Sequence, residues 1–581
     1  MSIAAAAEAS GLLHDVDQYR AFQILAVALL RGFLKSHSGA SLDPAVTSAR
    51  QAVASIVDTY SADDPLWCKQ VQLMVPGQGG SGKSTVISAT KRFAKSWGVF
   101  DRLAITSTTA SSALLINGQT IHGWCGCKIA TGFPKKGKGN KLALSAEKID
   151  LLLIDEVSFL DAGSLGSIEQ HCAFKKMGET PETNLFGGMS VALFGDLIQL
   201  QPIKHSMPFF DVKKTFYNYT NPTSALQQIG LKVWANMTHV VFLNTNYRAK
   251  DDPSYASFLT DYRKTHDVTA AQLRSLNTRR ATDTLKIPLS ATWAFTRNDD
   301  AVTTNMCLVH KAAAAARQPV FRLTAEIRKT ASSPILSSTT PLNTPLLGSG
   351  AEEAKSKAMM PHVDVYYGCA LYIQTNDNKL CSVGIANGSL GYVLGAVPSF
   401  SSLSSTTAII QLPNGTSTKV TTLTQLPDYL LLKIPTFTGH YEGLPPGVMP
   451  LPLKKTTMLV HGYSLKKHVS QFPVRHTHAL TVHKLQGSEC KGGIVAGNLT
   501  KSHLNHIYVL LSRVRPWDKL YILPHLRLTR PTLSFTLTAT DQNRARQHEQ
   551  LHAANDALIS LARSTKLVHE TRLLSLHGAP G

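Results

Sequence analysis

The chain has 581 residues, 43% of them hydrophobic, and its 59 Lys and Arg against 38 Asp and Glu leave a formal net charge of +21. That length calls for two to four domains, and the charge favours a polyanionic partner whose phosphates exchange counterions for Lys and Arg; a generally basic surface is the plainer alternative. Eight scattered cysteines without a CxxC pair argue against a disulfide framework and a structural zinc site, so a reducing, intracellular home is expected.

The N-terminus, MSIAAAAEAS, has neither the basic start of a secretory signal nor the early arginines of a mitochondrial presequence. From Gln18 to about Tyr60 the chain reads as helical. Its most apolar stretch, Ile24 to Leu30, is too short to span a bilayer and continues into Arg31 and Lys35, which predicts an amphipathic helix. Between Val71 and Leu243 strand-like apolar runs alternate with helical stretches, the pattern of a parallel α/β sheet. The first run, Val71 to Val75, leads straight into Gly77, Gln78, Gly79, Gly80, Ser81, Gly82, Lys83, Ser84 and Thr85, a match to G-x-x-x-x-G-K-[ST]. Glycines there let backbone N–H groups wrap phosphate oxygens ahead of a helix N-terminus. Lys83 is expected to reach the β- and γ-phosphates of ATP, and the Ser84 hydroxyl to bind Mg2+.

A second strand, Ile149 to Ile154, ends in Asp155 and Glu156. A carboxylate pair at the C-terminal edge of a strand, beside such a loop, suits metal coordination by Asp155 and general-base activation of water by Glu156. A third strand, Met189 to Phe194, ends in Gly195-Asp196-Leu197-Ile198-Gln199, where Gln199 is placed to sense the γ-phosphate. Farther on, residues from Lys329 to Leu347 are rich in Ser, Thr and Pro and read as a disordered insertion. Short β-rich runs from Gly368 to Leu432, broken by Asn387-Gly388 and Pro413-Asn414-Gly415, predict a small β-module. A second α/β segment runs from Arg475 to Leu526, and a polar, helix-prone tail from Gln542 to Leu576 carries no assigned role.

Several of these stretches also carry a family resemblance. Thr106–Trp124, Ile154–Ser158, Phe186–Gly188 and Gly195–Leu200, then Asn246-Tyr247-Arg248, Asn387–Gly391, Thr481–Glu489 and Tyr508–Arg513, resemble the ordered motifs of superfamily 1B DNA helicases of the PIF/RecD branch. The resemblance spans roughly Gln18 to Leu523 and extends to chains carried by mobile elements. It implies an α/β protein of two RecA-like P-loop NTPase domains with parallel sheets, plus a small β-rich insertion in the second half. The expected divisions are a helical segment at 1–60 and a first RecA-like domain at 61–250 with a basic loop at 125–148. A second RecA-like domain follows at 251–328 and 475–526, interrupted by a disordered linker at 329–362 and a β-barrel-like module at 363–474. A polar helical tail occupies 527–581.

The resemblance further implies that Gln18 reads adenine, that Arg248 and Arg513 are arginine fingers, and that Gln486 and Gly487 link the nucleotide to the second domain. Thr109, His122, Pro202, His483 and Lys484 stand at positions that contact single-stranded DNA. The basic loop Thr131–Lys141 is a candidate for touching the duplex. The implied activity is ATP-driven 5′-to-3′ movement on single-stranded and forked DNA. A monomer is expected, in the nucleus because the substrate is DNA, with no membrane attachment because no apolar run is long enough to span a bilayer. Thr108 and Ala110 depart from the usual Pro-Gly, Gln201 replaces the first of two prolines, and the stretch from Asp161 to Leu185 departs from the family signature. Alternatives are an RNA helicase of the viral superfamily 1 type, a non-catalytic nucleic-acid-binding copy and a small-molecule kinase. The Thr-Ile-His ending of the Ia run and the Asn-Gly-Ser-Leu-Gly turn favour the DNA branch.

Overall fold

Strands β1 (Gln72–Pro76), β2 (Leu103–Ser107), β3 (Gln119–Thr120), β4 (Leu151–Asp155), β5 (Ser190–Gly195) and β6 (His239–Val240) form one sheet in the order β3-β2-β4-β5-β1-β6. Every pairing in it is parallel. All residues of β1, β2, β4 and β5 are buried. Both sheet faces are therefore covered, and this is why these strands read as continuous apolar runs instead of alternating ones. The register pairs Pro76 with Gly195 and Ser107 with Asp155, which aligns the C-terminal ends where the three motifs begin.

The computed structural model describes residues 2–36, 44–57, 70–125, 148–177, 184–200, 202, 209, 222–247, 252–265, 267–282, 285–336, 360–374, 380, 383–460, 466–497, 504–524, 526, 556 and 558–565. The chain divides into two compact units, Met1–Asp267 with Ser534–Gly581, and Val268–Leu533. The boundary lies past the helix Pro253–Thr265, whose Tyr255 and Tyr262 are buried, and not at 250/251.

In the first unit the helix Val16–Ser36 differs from its expected amphipathic character. Ala21, Phe22 and every residue from Ile24 to Leu30 are buried, and Phe22 meets Phe93 edge-on at 5.8 Å. A helix apolar on nearly all faces belongs in a core; this one joins β1, β4 and the helix Lys83–Ser96 in a single apolar cluster. Among the described residues, no helix is long and apolar enough to cross a membrane. Part of the tail also belongs to this unit. Residues 558–565 are helical, Leu558 and Thr565 are buried, and the Thr565 hydroxyl accepts a 3.2 Å hydrogen bond from the Val240 N–H on edge strand β6.

The second unit holds a four-stranded parallel sheet of Ala479–Thr481, Thr292–Phe295, Ile494–Ala496 and Leu520–Ile522. Its β-rich part begins earlier than position 363, because Phe321–Thr324 and Glu326–Arg328 already pair with strands far downstream, at positions 362–365, 421–422 and 468–470. A five-stranded antiparallel sheet around Leu390–Val397 and Tyr429–Lys433 completes it. The helix Asn298–Ala315 joins the two parts. Asn305 exchanges two 2.8 Å hydrogen bonds with the Ala479 backbone, while His310 Nε2 lies 2.9 Å from the Asp364 carboxylate. Burial works against charge on Asp364, but the two 2.7 Å bonds from Arg322 and the His310 contact outweigh it and hold the carboxyl well below its ordinary range. Of the linker expected at 329–362, residues 337–359 lie outside the described residues, as does nearly all of the basic loop at 125–148.

Candidate nucleotide site

The loop after β1 is built for anions by its backbone. Gly80 and Gly82 take φ of 89° and 90°, the left-handed region that glycine enters without strain. Gly82 caps the helix Lys83–Ser96, whose first-turn amides and positive dipole end face the same space. The Gly77 N–H donates to the Gly195 carbonyl at 3.0 Å, and Leu243 bridges to Gly77, fixing the loop to β5 and to the chain after β6. Lys83 Nζ donates to the carbonyls of Gly77, at 2.5 Å, and Gln78, at 3.0 Å. Burial pushes the Lys83 ammonium down, while Asp196, Glu156 and Asp155 pull it back toward the charged form. Ser84 and Thr85 are exposed in the first turn of the helix.

Asp155 closes β4. Burial and the neighbouring Glu156 carboxylate raise it to about 7, against the opposing pull of Lys83. Two adjacent carboxylates in so confined a place call for a cation. Glu156 stands at φ 55°, ψ 43°, a left-handed conformation uncommon outside glycine. Its backbone is held by the Thr108 hydroxyl, which donates to the Glu156 carbonyl at 2.8 Å, and by its own N–H donating to Asp155 Oδ1 at 2.9 Å. After β5, Gln199 folds back so that its Nε2 donates to Asp196 Oδ2 at 3.3 Å.

Gln18 is not a solvated helical residue. It is buried, and its Nε2 donates to the Ser81 carbonyl at 3.2 Å and to Asp15 Oδ2 at 3.3 Å. A Cβ on Gly82 would collide with the Gln18 amide, so the two residues are in direct contact. Asp15 also accepts from the Tyr247 hydroxyl at 2.7 Å, and the Tyr247 N–H donates to the Gly80 carbonyl at 3.1 Å. Burial and Asp15 together push the Tyr247 phenol up to about 12. Asp15 carries no mark in the sequence, and Tyr247, within Asn246-Tyr247-Arg248, gains a role of its own only through these contacts. Gly82→Ala is expected to strain the loop, displace Gln18 and weaken ADP binding about tenfold or more, measured by equilibrium titration.

The structure brings Lys83, Asp155, Glu156, Asp196 and Gln199 to one edge of the first unit. Arg248 lies outside the described residues. In the second unit Arg513 is 2% exposed. Its Nε donates to the Val509 carbonyl at 2.8 Å and its Nη1 to the Ser488 carbonyl at 3.1 Å, beside Gln486 and Gly487. Of the expected nucleic-acid contacts, Thr109 caps the helix Ala110–Leu115, its hydroxyl accepting from the Ser112 N–H at 3.2 Å. His122 is held toward its neutral form by burial, opposed by Asp161. Pro202 is half-buried. His483 meets His506 edge-on at 4.9 Å. Lys484 keeps an exposed side chain, yet the protein crowded around its ammonium and the nearby Arg475 lower it to about 8. Lys484 also borders a cleft of about 350 Å³, open mouth included, lined by Arg475, Asn298 and Thr481.

A family model described as PIF1-like helicase matches residues 50–261. The chain is similar to the ATP-dependent DNA helicase RRM3 of Saccharomyces cerevisiae, 28% identical over 173 residues, 29% of this chain and 22% of the relative. It is similar to the ATP-dependent DNA helicase PIF3 of Trypanosoma brucei brucei, 30% identical over 132 residues, 22% of this chain and 15% of the relative. An uncharacterized protein of Invertebrate iridescent virus 6 is 31% identical over 147 residues, 24% of this chain and 27% of the relative. The similarity thus spans well under two thirds of the length of these relatives. Among solved structures, one of two coordinating Pif1 helicases at forked double-stranded DNA superposes with a TM-score of 0.52 at 17% identity, covering 83% of this chain and 95% of that one. A Bacteroides Pif1 helicase in complex with ADP-AlF3 and single-stranded DNA superposes at 0.50 with 20% identity and the same coverages. Likeness at such identity shows the fold alone, and residues 50–261 of this chain are similar to the PIF1-like helicase family.

Proposed function

We propose that this protein hydrolyses ATP to drive 5′-to-3′ movement along single-stranded DNA and to part forked duplexes. The observation that carries the reading is the convergence of Lys83, Asp155, Glu156 and Gln199 on the open end of one parallel sheet, where ligands of such sheets bind. Backbone amides of residues 77–85 would cradle the phosphates, and Lys83 would leave the Gly77 and Gln78 carbonyls to meet the β- and γ-oxygens. Glu156 would take a proton from the attacking water, and Gln199 would orient that water or the terminal phosphate. The exposed Ser84 hydroxyl and the raised Asp155 carboxyl fit Mg2+, which when bound would neutralise charge developing on the β- and γ-oxygens. Gln18, held at Ser81 and Gly82, would read the adenine edge. The family resemblance assigns charge stabilisation to Arg248 and Arg513 and strand contact to Thr109, His122, Pro202, His483 and Lys484. A nuclear monomer is the form in which we expect it to act.

ATP turnover without nucleic acid, with single-stranded DNA and with RNA of the same length tests this reading. Stimulation by DNA of at least about tenfold over RNA is expected, in keeping with an electrostatic strand contact linked to the motor. Stimulation by RNA alone would replace the DNA reading with the viral-type one, and turnover indifferent to both would remove the motor. Forks with a single 5′ or 3′ tail test direction, unwinding from the 5′ tail being the expected result.

A further inference from the structure

One cation near the phosphate end of the first sheet is announced by no motif. Arg263 lies on the helix Pro253–Thr265, 67 residues beyond the side chain it grips. Its Nη2 donates to Asp196 Oδ1 at 2.8 Å and its Nε to Asp196 Oδ2 at 3.4 Å, a fork laid on both carboxylate oxygens. Those oxygens also serve the turn after β5. Oδ1 accepts from the Ile198 N–H at 3.2 Å, Oδ2 accepts from Gln199 Nε2 at 3.3 Å, and the Gln199 N–H closes the turn on the Asp196 carbonyl at 3.0 Å.

The Asp196 side chain is wholly enclosed and that of Arg263 is one-fifth exposed. A carboxylate so enclosed is stable as an anion only beside a paired cation. Burial alone would raise Asp196, yet Arg263, with lesser help from Lys83, holds it below its ordinary range. The helix that presents the guanidinium is anchored by Phe258, stacked between Tyr255 at 5.9 Å and Tyr262 at 6.0 Å. The positive charge of Arg263 is felt at Lys83 as well, which puts the fork within electrostatic reach of the phosphate loop.

We propose that Arg263 is a positioning residue for ATP hydrolysis: it pins Asp196, and through Asp196 sets the Gln199 amide for the terminal phosphate. This inference rests on the motor reading above. Its link to chemistry runs through Gln199, so it makes a demand that a purely structural ion pair does not. Removing Arg263 and removing Gln199 must cost the same thing once, and not twice.

The test compares the wild-type chain with Arg263→Ala, Arg263→Lys, Gln199→Ala and the Arg263→Ala/Gln199→Ala double variant. Affinities for ADP and for ADP with aluminium fluoride are measured beside DNA-stimulated kcat and KM. Arg263→Ala and Gln199→Ala are each expected to weaken ADP–aluminium fluoride binding and lower kcat by about tenfold or more, with ADP affinity and KM within about threefold of wild type. The double variant should be no more than about threefold worse than the poorer single. Arg263→Lys, a point charge without a fork, should recover only part of the loss. Multiplying losses in the double variant, or an ADP affinity that falls in parallel, would reduce Arg263 to a structural residue and overturn the proposal. A wild-type chain that binds neither nucleotide would instead remove the motor reading and this inference with it.

Discussion

Lys83→Ala is expected to lower DNA-stimulated ATP turnover by about 10²- to 10³-fold, the range found when a preorganised charge donor is removed from a transition state. The side chain does two things at this edge of the sheet. It would supply positive charge to the β- and γ-oxygens, and it already offsets the carboxylates of Asp196, Glu156 and Asp155 around it. Without it Asp155, already raised to about 7 by burial and Glu156, loses its opposing pull and rises further. A cation site at Asp155 then fills less readily near neutral pH, so the loss should deepen as the assay pH is lowered from 8 to 6. Phosphate release under saturating oligonucleotide, at several pH values, is the measurement. Turnover within about threefold of wild type would contradict the assignment of Lys83 as the phosphate-reaching residue.

Glu156→Gln is expected to lower turnover by about 10²- to 10⁴-fold while leaving ATP binding within about threefold, the signature of a lost general base. Gln keeps the shape of the side chain and adopts the left-handed backbone about as readily as Glu, so the Thr108 and Asp155 bonds that hold this turn have no reason to change. The prediction separates chemistry from binding: ATP should be retained by the variant through a rapid spin-column separation, while wild type releases ADP. Equal loss of binding and turnover would show that Glu156 serves the fold or the cation and not the water.

What the sequence disclosed follows from where the information sits. The phosphate loop, the Asp155-Glu156 pair and Gly195–Gln199 each begin at the end of a fully buried strand, so an apolar run followed abruptly by Gly or a carboxylate marks them locally. Arg263 has no such mark. A single arginine on a polar helix gains its meaning only from Asp196, 67 residues away. Gln18 was visible through its motif, but its burial against Ser81 and Gly82 was not, because the contact spans 63 residues. The helix Val16–Ser36 differs from its expectation for a related reason: Arg31 and Lys35 predict a wet face, whereas every residue from Ile24 to Leu30 is buried. The early start of the β-module was hidden in the same way, since Phe321–Thr324 finds its partners at His362–Val365 and Thr421–Thr422.

The bond between Val240 and Thr565 has a bearing on how this protein can be made and cut. Strand β6 is the outer rail of the first sheet, and the helical turn at 558–565 that shields it is translated some 300 residues later, after the whole second unit. While the polypeptide is still emerging from the ribosome, the phosphate loop can be assembled with that rail bare, an invitation to pair with another nascent chain. A fragment trimmed at the boundary after Asp267 would inherit the phosphate loop, the Asp155-Glu156 pair and Gly195–Gln199 together with this adhesive border, and supplying the 534–581 peptide in trans is the direct remedy.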